Sequence, residues 1–161
     1  MPEEMEISTL ILDPSVRESG TREVTITPEE VAKAAGTTLD AVRALGHEGK
    51  ALNTMTKGSI VCAKSLTEKT EINGIISLGG SMGTGLGTAV MRQFPFGLPK
   101  VMISTMASGM VKPYVGTKDI MMLHSVADIS GLNSITKSVL KNGASAVAGM
   151  AKSYQKSTED Q

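Results

Sequence analysis

Asn73–Met91 reads NGIISLGGSMGTGLGTAVM, and this stretch decides the fold. A short apolar run, Ile75–Leu78, stops at Gly79-Gly80, and an apolar pattern at helical spacing resumes after Thr84. The pattern predicts a strand, a glycine loop and a helix. Such a loop directs backbone N–H groups and the positive end of the helix dipole beyond the end of the strand. Phosphate or carboxylate groups are therefore the ligands that this stretch favours.

The glycines of this loop differ from the familiar phosphate-binding motifs. The loop has no P-loop lysine, and its Gly83-Thr84-Gly85 is followed by Leu86-Gly87, which departs from the dinucleotide fingerprint. Two interpretations fit: a ligand-binding loop, or a turn whose glycines only allow close helix packing. Gly85 and Gly87 each cost a helix about 1 kcal/mol relative to alanine, so we expect another backbone or a ligand close to both.

The composition fits one domain and excludes several classes of protein. The 161 residues include 16 basic and 16 acidic ones, with no basic block for nucleic acid. No apolar run is long enough to span a membrane, and the acidic start MPEEME is unlike a signal peptide, so we expect a cytoplasmic protein. Cys62 is the only cysteine, which excludes an internal disulfide or a cysteine zinc site.

The first part of the chain is expected to contain one strand and two short helices. Ile7–Leu12 is a β-branched apolar run closed by Asp13-Pro14, which predicts a buried strand. Thr27-Pro28-Glu29-Glu30 combines an N-cap, a proline at the first helical position and a capping box. With a second helix after Thr38, these signals predict a helical insertion at about residues 27–46.

Strands and helices then alternate along the chain. Lys100–Ser104 reads as the next buried strand, and Ile120–Val126 as a further apolar segment before a long helix. This alternation predicts an α/β fold with an open, mostly parallel, Rossmann-like sheet and helices on both faces. We expect a single domain over residues 1–155 and a flexible tail over residues 156–161.

Several runs between Gly74 and Met150 carry a family resemblance: GGS with GT (79–81, 83–84), MR (91–92), GLPK (97–100), STMASG (104–109), PYVG (113–116), DIMM (119–122), SV (125–126), Asp128, GLN (131–133) and AGM (148–150). In these runs the chain resembles the N-terminal domain of the Tm-one-like ATP-binding family. Met82, Gly85 and His124 depart from the family pattern. The family usually has a further strand, turn and helix at the start and a second α/β domain at the end, and both are missing here. The resemblance implies nucleotide binding, with ATP, alone or with Mg²⁺, as the cofactor, and a homo-oligomer or a partner chain that supplies the second domain.

The candidate binding residues lie at or after the ends of the predicted strands. They are Gly79, Gly80, Ser81, Gly83, Thr84, Ser104, Thr105, Ser108, Gly109, Tyr114 and Asp128. The amides from Gly80 to Thr84, with the hydroxyls of Ser81 and Thr84, would hold phosphate oxygens.

Other candidates keep two interpretations each. The hydroxyls after the second strand either line the same cleft or cap their loop. Tyr114 either stacks on a base or packs beside Pro113. Asp119 and Asp128 either hold a ribose hydroxyl or Mg²⁺, or cap a helix or turn.

These residues and the family resemblance leave two functions open, besides a purely structural oligomer. The first is a nucleotide (ATP)-binding or regulatory module, one half of a two-domain or split protein, that holds phosphate through Gly79–Thr84. The alternative is a subunit of an enzyme that acts on a phosphorylated or carboxylated small molecule at an interface with a second domain. No arrangement of nucleophile and base can be assembled from the spacing, so no catalytic residue is assigned.

Overall fold

The computed structural model of the chain describes residues 7–17, 23–128 and 131–159. The chain divides into two compact units, Met1–Ala63 and Lys64–Gln161, and each is described by itself. The expectation of one domain over residues 1–155 stays a prediction. In the described ranges, none of the helices combines the length and the apolarity that a membrane crossing requires.

The first unit contains the two predicted short helices and most of a long one. Helix α1 (Pro28–Ala34) has the expected capping box, in which Thr27 and Glu30 each satisfy a backbone amide of the other. Helix α2 (Leu39–Arg43) is capped by Thr38. Helix α3 (Glu48–Lys69) packs closely on α1, because a Cβ at Gly58 would lie 2.0 Å from the carbonyl oxygen of Val31.

The predicted buried strand at Ile7–Leu12 is wrong. Ile7, Leu10 and Ile11 are exposed, and the segment has only an isolated bridge between Leu12 and Ile26. A β-branched run becomes a strand only when a neighbouring strand offers a ladder of hydrogen bonds, and propensity alone does not supply one.

The second unit is a parallel α/β layer. Its elements in chain order are β1 (Ile75–Gly79), α4 (Ser81–Met91), β2 (Lys100–Ser104), α5 (Lys112–Val115), β3 (Met121–His124) and α6 (Ser134–Glu159). The three strands pair in parallel in the order β1-β2-β3. The predicted open parallel sheet is confirmed. Ligands of open α/β sheets usually bind where the strand order reverses. The order of these three strands does not reverse, so they contain no such position. Helix α6 extends into the segment predicted to be a flexible tail.

Helices cover both faces of this sheet. A Cβ at Gly87 of α4 would lie 2.5 Å from the Ser77 hydroxyl and 3.0 Å from the Met102 sulfur. A Cβ at Gly143 of α6 would lie 2.5 Å from a side-chain carbon of Ile103. Because neighbouring residues of a strand point to opposite faces, α4 and α6 lie on opposite sides of β2. Every residue of β2 is buried, so it forms the centre of the core.

Candidate functional site

The turn from β1 to α4 is tighter than the sequence suggests. Helix α4 begins at Ser81, with Gly80 as its N-cap residue, so the first helical turn replaces most of the predicted glycine loop. The Thr84 amide, expected to face a ligand, instead donates to the Gly80 carbonyl at 2.8 Å. Among the described residues, the amides of Gly80, Ser81, Met82 and Gly83 have no backbone acceptor. Four consecutive N–H groups are thus free at the start of this helix.

Gly79 makes this turn possible. A Cβ at Gly79 would lie 2.6 Å from the Cα of Gly83, a distance that no side chain tolerates. A Cβ at Gly83 would meet only the Leu78 carbonyl oxygen at 3.5 Å, which is ordinary contact. The close approach therefore requires glycine at position 79 and leaves position 83 free to vary.

Thr84 and Ser104 are brought together, but below the surface of the site. Both are fully buried, and their hydroxyl oxygens lie 2.6 Å apart. The Ser104 hydroxyl also accepts from the Met106 amide at 2.9 Å, and the Thr84 hydroxyl donates to the Gly79 carbonyl at 3.3 Å. These contacts are all satisfied when Ser104 donates to Thr84. The pair holds α4 against the ends of β1 and β2. These hydroxyls therefore support the turn and do not line a cleft.

The loop after β2 lies beside the free amides. The Thr105 amide donates to the Gly79 carbonyl at 3.3 Å, and the Thr105 hydroxyl is 3.8 Å from where a Cβ on Gly80 would be. Ser108 and Gly109 are exposed further along this loop. The Gly109 amide donates to the Met106 carbonyl, so it closes a turn within the loop. Thr105 is thus the member of this loop that the structure places next to the start of α4.

Tyr114 lies at the other end of α4. The Tyr114 carbonyl accepts from the guanidinium of Arg92, and Arg92 is the C-cap residue of that helix. An eleven-residue helix is about 16 Å long. The structure therefore does not bring the Tyr114 backbone to the free amides.

Asp128 lies beyond the end of β3, at the same edge of the sheet. The segment that leads to Asp128 is hydrogen-bonded to β2, because the Ser125 amide donates to the Ser104 carbonyl at 3.1 Å. Strands are about 5 Å apart, so β3 ends about 10 Å from β1 along this edge. The Asp128 side chain is exposed. Asp128 therefore lies at the same edge of the sheet as the free amides, although two strands away from Gly80.

Two further features of this edge are not evident from the sequence. Val126 has a φ of 66°, a left-handed conformation that is rare for a β-branched residue. Helix α6 also starts at this edge, capped by reciprocal hydrogen bonds between Asn133 and Thr136. The first turns of α4 and α6 contain no acidic residue. Neither helix therefore has a carboxylate in its own first turn to neutralise the positive end of its dipole.

Asp119 has a structural partner at the opposite edge of the sheet. The fully buried Lys100 side chain donates to the carbonyls of Pro95 and Leu98 at 2.7 Å each and to Asp119 at 3.0 Å. Burial raises the pKa of Asp119, but hydrogen bonds from the Gly97 amide and Lys100 outweigh it and leave that pKa below its ordinary value. Asp119 thus anchors the loop before β2. In the described ranges, no cluster of three or more histidine, cysteine or acidic residues could hold a metal ion.

Comparison with known proteins shows the family of this chain. Residues 2–156 match the N-terminal domain of the uncharacterised protein family UPF0261. The chain belongs to this family. A UPF0261 protein of Clostridium tetani is 42% identical over 146 residues, which cover 91% of this chain and 36% of that relative. A UPF0261 protein of Rhizobium meliloti is 48% identical over 89 residues, covering 55% of this chain and 22% of that relative.

The resemblance to the Tm-one-like family is also supported. The tomato protein named "ToMV resistance protein Tm-1(GCR237)", from Solanum lycopersicum, is 42% identical over 102 residues. These cover 63% of this chain and 14% of the tomato protein. The chain spans about a third or less of each of these relatives. The names of these relatives give no ligand for the domain.

Proposed function

We propose that the second unit binds the phosphate chain of a nucleotide, ATP, at the start of α4. The observation that carries this proposal is the run of four free amides from Gly80 to Gly83 at the carboxyl edge of a parallel sheet. Such amides and the helix dipole stabilise an anion together. The exposed Ser81 hydroxyl and the half-buried Thr105 hydroxyl supply further donors beside them.

The proposed role of each candidate residue follows its position. Gly79 and Gly80 form the turn, Ser81 and Gly83 offer amides, and Thr105 offers a hydroxyl. Thr84 and Ser104 hold the turn in place from below. In this proposal the ribose lies toward the end of β3, where the exposed Asp128 would accept from a ribose hydroxyl. Mg²⁺ would be held mainly by the phosphates, which is its usual manner of binding.

A ligand series by titration calorimetry tests this proposal. We expect ATP and ADP to bind, adenosine to bind far more weakly, and inorganic phosphate to compete with ATP at high concentration. Each titration is repeated with and without Mg²⁺, which separates the metal requirement from phosphate binding. Absence of ATP binding to the folded protein, or equal binding of adenosine and ATP, contradicts the proposal.

An enzyme subunit is the second candidate, and an apolar surface near the site favours it. Met82, Met106 and Met110 are exposed around the start of α4 and the loop after β2. Exposed apolar groups beside polar ones are typical of a surface that another protein surface covers. In this alternative, a second domain covers the site and the substrate is a phosphorylated or carboxylated small molecule. Sugar phosphates that bind more tightly than ATP in the same calorimetry support this alternative.

A further inference from the structure

His124 is held at the end of β3 by a contact with the neighbouring strand. Its ring is half-buried, and Nδ1 lies 3.4 Å from the carbonyl oxygen of Ser104. A carbonyl oxygen only accepts hydrogen bonds, so Nδ1 carries a proton in this contact. The lone pair of the neutral imidazole is then on Nε2. Among the residues that the structure describes, Nε2 has no hydrogen-bond partner.

The ring of His124 lies on the face of the sheet that α4 covers. His124 is the register partner of Ser104 in β2, and paired residues of neighbouring strands point to the same face. The Ser104 hydroxyl contacts Thr84 of α4, which identifies that face. His124 therefore shares both the edge and the face of the sheet with the start of α4.

A single peptide unit separates His124 from the turn before α4. This unit joins Ser104 to Thr105: its carbonyl faces His124, and its amide donates to the Gly79 carbonyl at 3.3 Å. Nδ1 of His124 is therefore no more than about 9 Å from the Gly79 carbonyl oxygen. A phosphate chain that contacts the free amides at one end can reach the imidazole with the other.

Few charged groups flank His124 on this face. Neither α4 nor the loop from β2 to α5 contains a titratable side chain. The titratable residue of β2 is Lys100, which pairs with Asp119 at the opposite edge. On the other flanking segments, the described residues supply Lys112 and Tyr114 of α5 and the exposed Asp128 after β3. An anion beside Nε2 would therefore be the main charge that acts on this ring.

We propose that His124 binds the phosphate chain in its protonated form, with Nδ1 donating to Ser104 and Nε2 donating to a phosphate oxygen. This inference rests on the proposed nucleotide site. A neutral ring would present an acceptor to phosphate oxygens, which are acceptors themselves. Protonation removes that conflict and adds a charge-assisted hydrogen bond.

The proposed contact makes nucleotide binding depend on pH. Histidine is the side chain that ordinarily changes its charge between pH 5 and 8. Binding of ATP then takes up a proton at His124, and by linkage the affinity that this residue contributes is lost as the pH rises through that range. The rest of the site, which consists of amides and hydroxyls, does not titrate there.

Titration calorimetry with ATP at pH 6 and pH 8 tests this role. Because ATP titrates in this range too, variants are compared at each pH. We expect the unchanged protein to bind ATP about tenfold more tightly than His124→Gln at pH 6, and within about twofold of it at pH 8. His47→Gln is the matched control, because His47 is the other of the two histidines and is exposed. It should match the unchanged protein at both pH values.

Nuclear magnetic resonance of the unchanged protein gives a second readout that does not depend on His124→Gln folding. The chain has two histidines, so the spectrum of His47→Gln assigns their ring signals. With ATP bound, the His124 ring should stay protonated to a higher pH than in the free protein, and the His47 ring should titrate as before. Identical titration of His124 with and without ATP overturns the proposal.

The outcomes distinguish this inference from the site on which it rests. If ATP binds with the same pH dependence to His124→Gln and to the unchanged protein, the role of His124 is overturned and the phosphate site remains. If ATP binds to neither protein at either pH, the proposed site itself is contradicted, and the role of His124 is overturned with it.

Discussion

The hydroxyl oxygens of Thr84 and Ser104 lie 2.6 Å apart in the buried contact between α4 and the end of β2. This pair explains why two hydroxyl residues follow the strand ends without facing solvent. We expect Thr84→Val to destabilise the protein by about 1–3 kcal/mol, because the buried Ser104 hydroxyl loses its acceptor. Thr84→Ser keeps the hydroxyl and should cost about 1 kcal/mol for the lost methyl group. Urea unfolding measures both.

The same pair of variants separates support from ligand contact. If Thr84 only holds the turn, the folded Thr84→Val protein should bind ATP within about twofold of the unchanged protein. A large loss of affinity in a variant of normal stability would show that this hydroxyl contacts the ligand, contrary to its position here.

Gly85 and Gly87 are matched positions in α4 with opposite surroundings. Nothing lies within 4 Å of a Cβ at Gly85, whereas a Cβ at Gly87 would overlap Ser77. Gly85→Ala should therefore stabilise the protein by about 0.5–1 kcal/mol, the helix preference for alanine over glycine. Gly87→Ala should destabilise it by about 1–3 kcal/mol, because α4 must move away from the sheet. Thermal unfolding of the two variants tests this contrast. Equal changes of the unfolding temperature in the two variants would contradict it.

Asp119 is expected to make stability depend on pH in the acid range. Its pKa in the folded protein is lowered from the ordinary value, so the unfolded chain binds a proton more readily. The stabilisation is therefore fully present above the unfolded pKa and is lost as the pH falls through the folded pKa. In Asp119→Asn, this part of the acid destabilisation should be absent, and the protein should be less stable at neutral pH because Lys100 loses its counter-charge. Urea midpoints from pH 3 to 7 measure both effects. If the urea midpoint of the variant fell with pH in the acid range as much as that of the unchanged protein, the role of Asp119 would be contradicted.

A single carboxylate should separate helix stability from anion binding at the start of α4. Ser81→Asp adds a negative charge to the first turn, which stabilises a helix by about 0.3–1 kcal/mol. The same charge repels phosphate, and we expect ATP affinity to fall about tenfold or more. Ser153→Asp, at an exposed position near the far end of α6, is the matched control and should bind ATP normally. Equal affinities of the two variants, measured by calorimetry, would place the phosphate elsewhere.

The sequence predicts most of the sheet because its signals are local. The run Lys100–Ser104 is the strand β2 as expected, and the capping residues Thr27 and Thr38 start their helices as expected. The strand predicted at Ile7–Leu12 failed because a strand depends on a partner far away in the chain. The local sequence pattern indicates the conformation that a segment favours, but its tertiary contacts depend on the whole fold.

The candidate site was harder to predict for the same reason. The glycines predicted a turn, but the sequence does not show that α4 begins directly after Gly80. Of the two helix glycines expected to face a close neighbour, Gly87 does and Gly85 does not. Hydroxyls that satisfy one another across two elements, as Thr84 and Ser104 do, look the same in a sequence as hydroxyls that await a ligand.

The most direct test of the central claim is to follow backbone amide signals by nuclear magnetic resonance during a titration with ATP. The claim is that the free amides at the start of α4 bind the phosphate chain. We predict that the largest shift changes occur at Gly80, Ser81, Met82 and Gly83, that ADP reproduces them, and that adenosine does not. Shift changes confined to other parts of the chain, or no change at these amides at saturating ATP, would contradict the account.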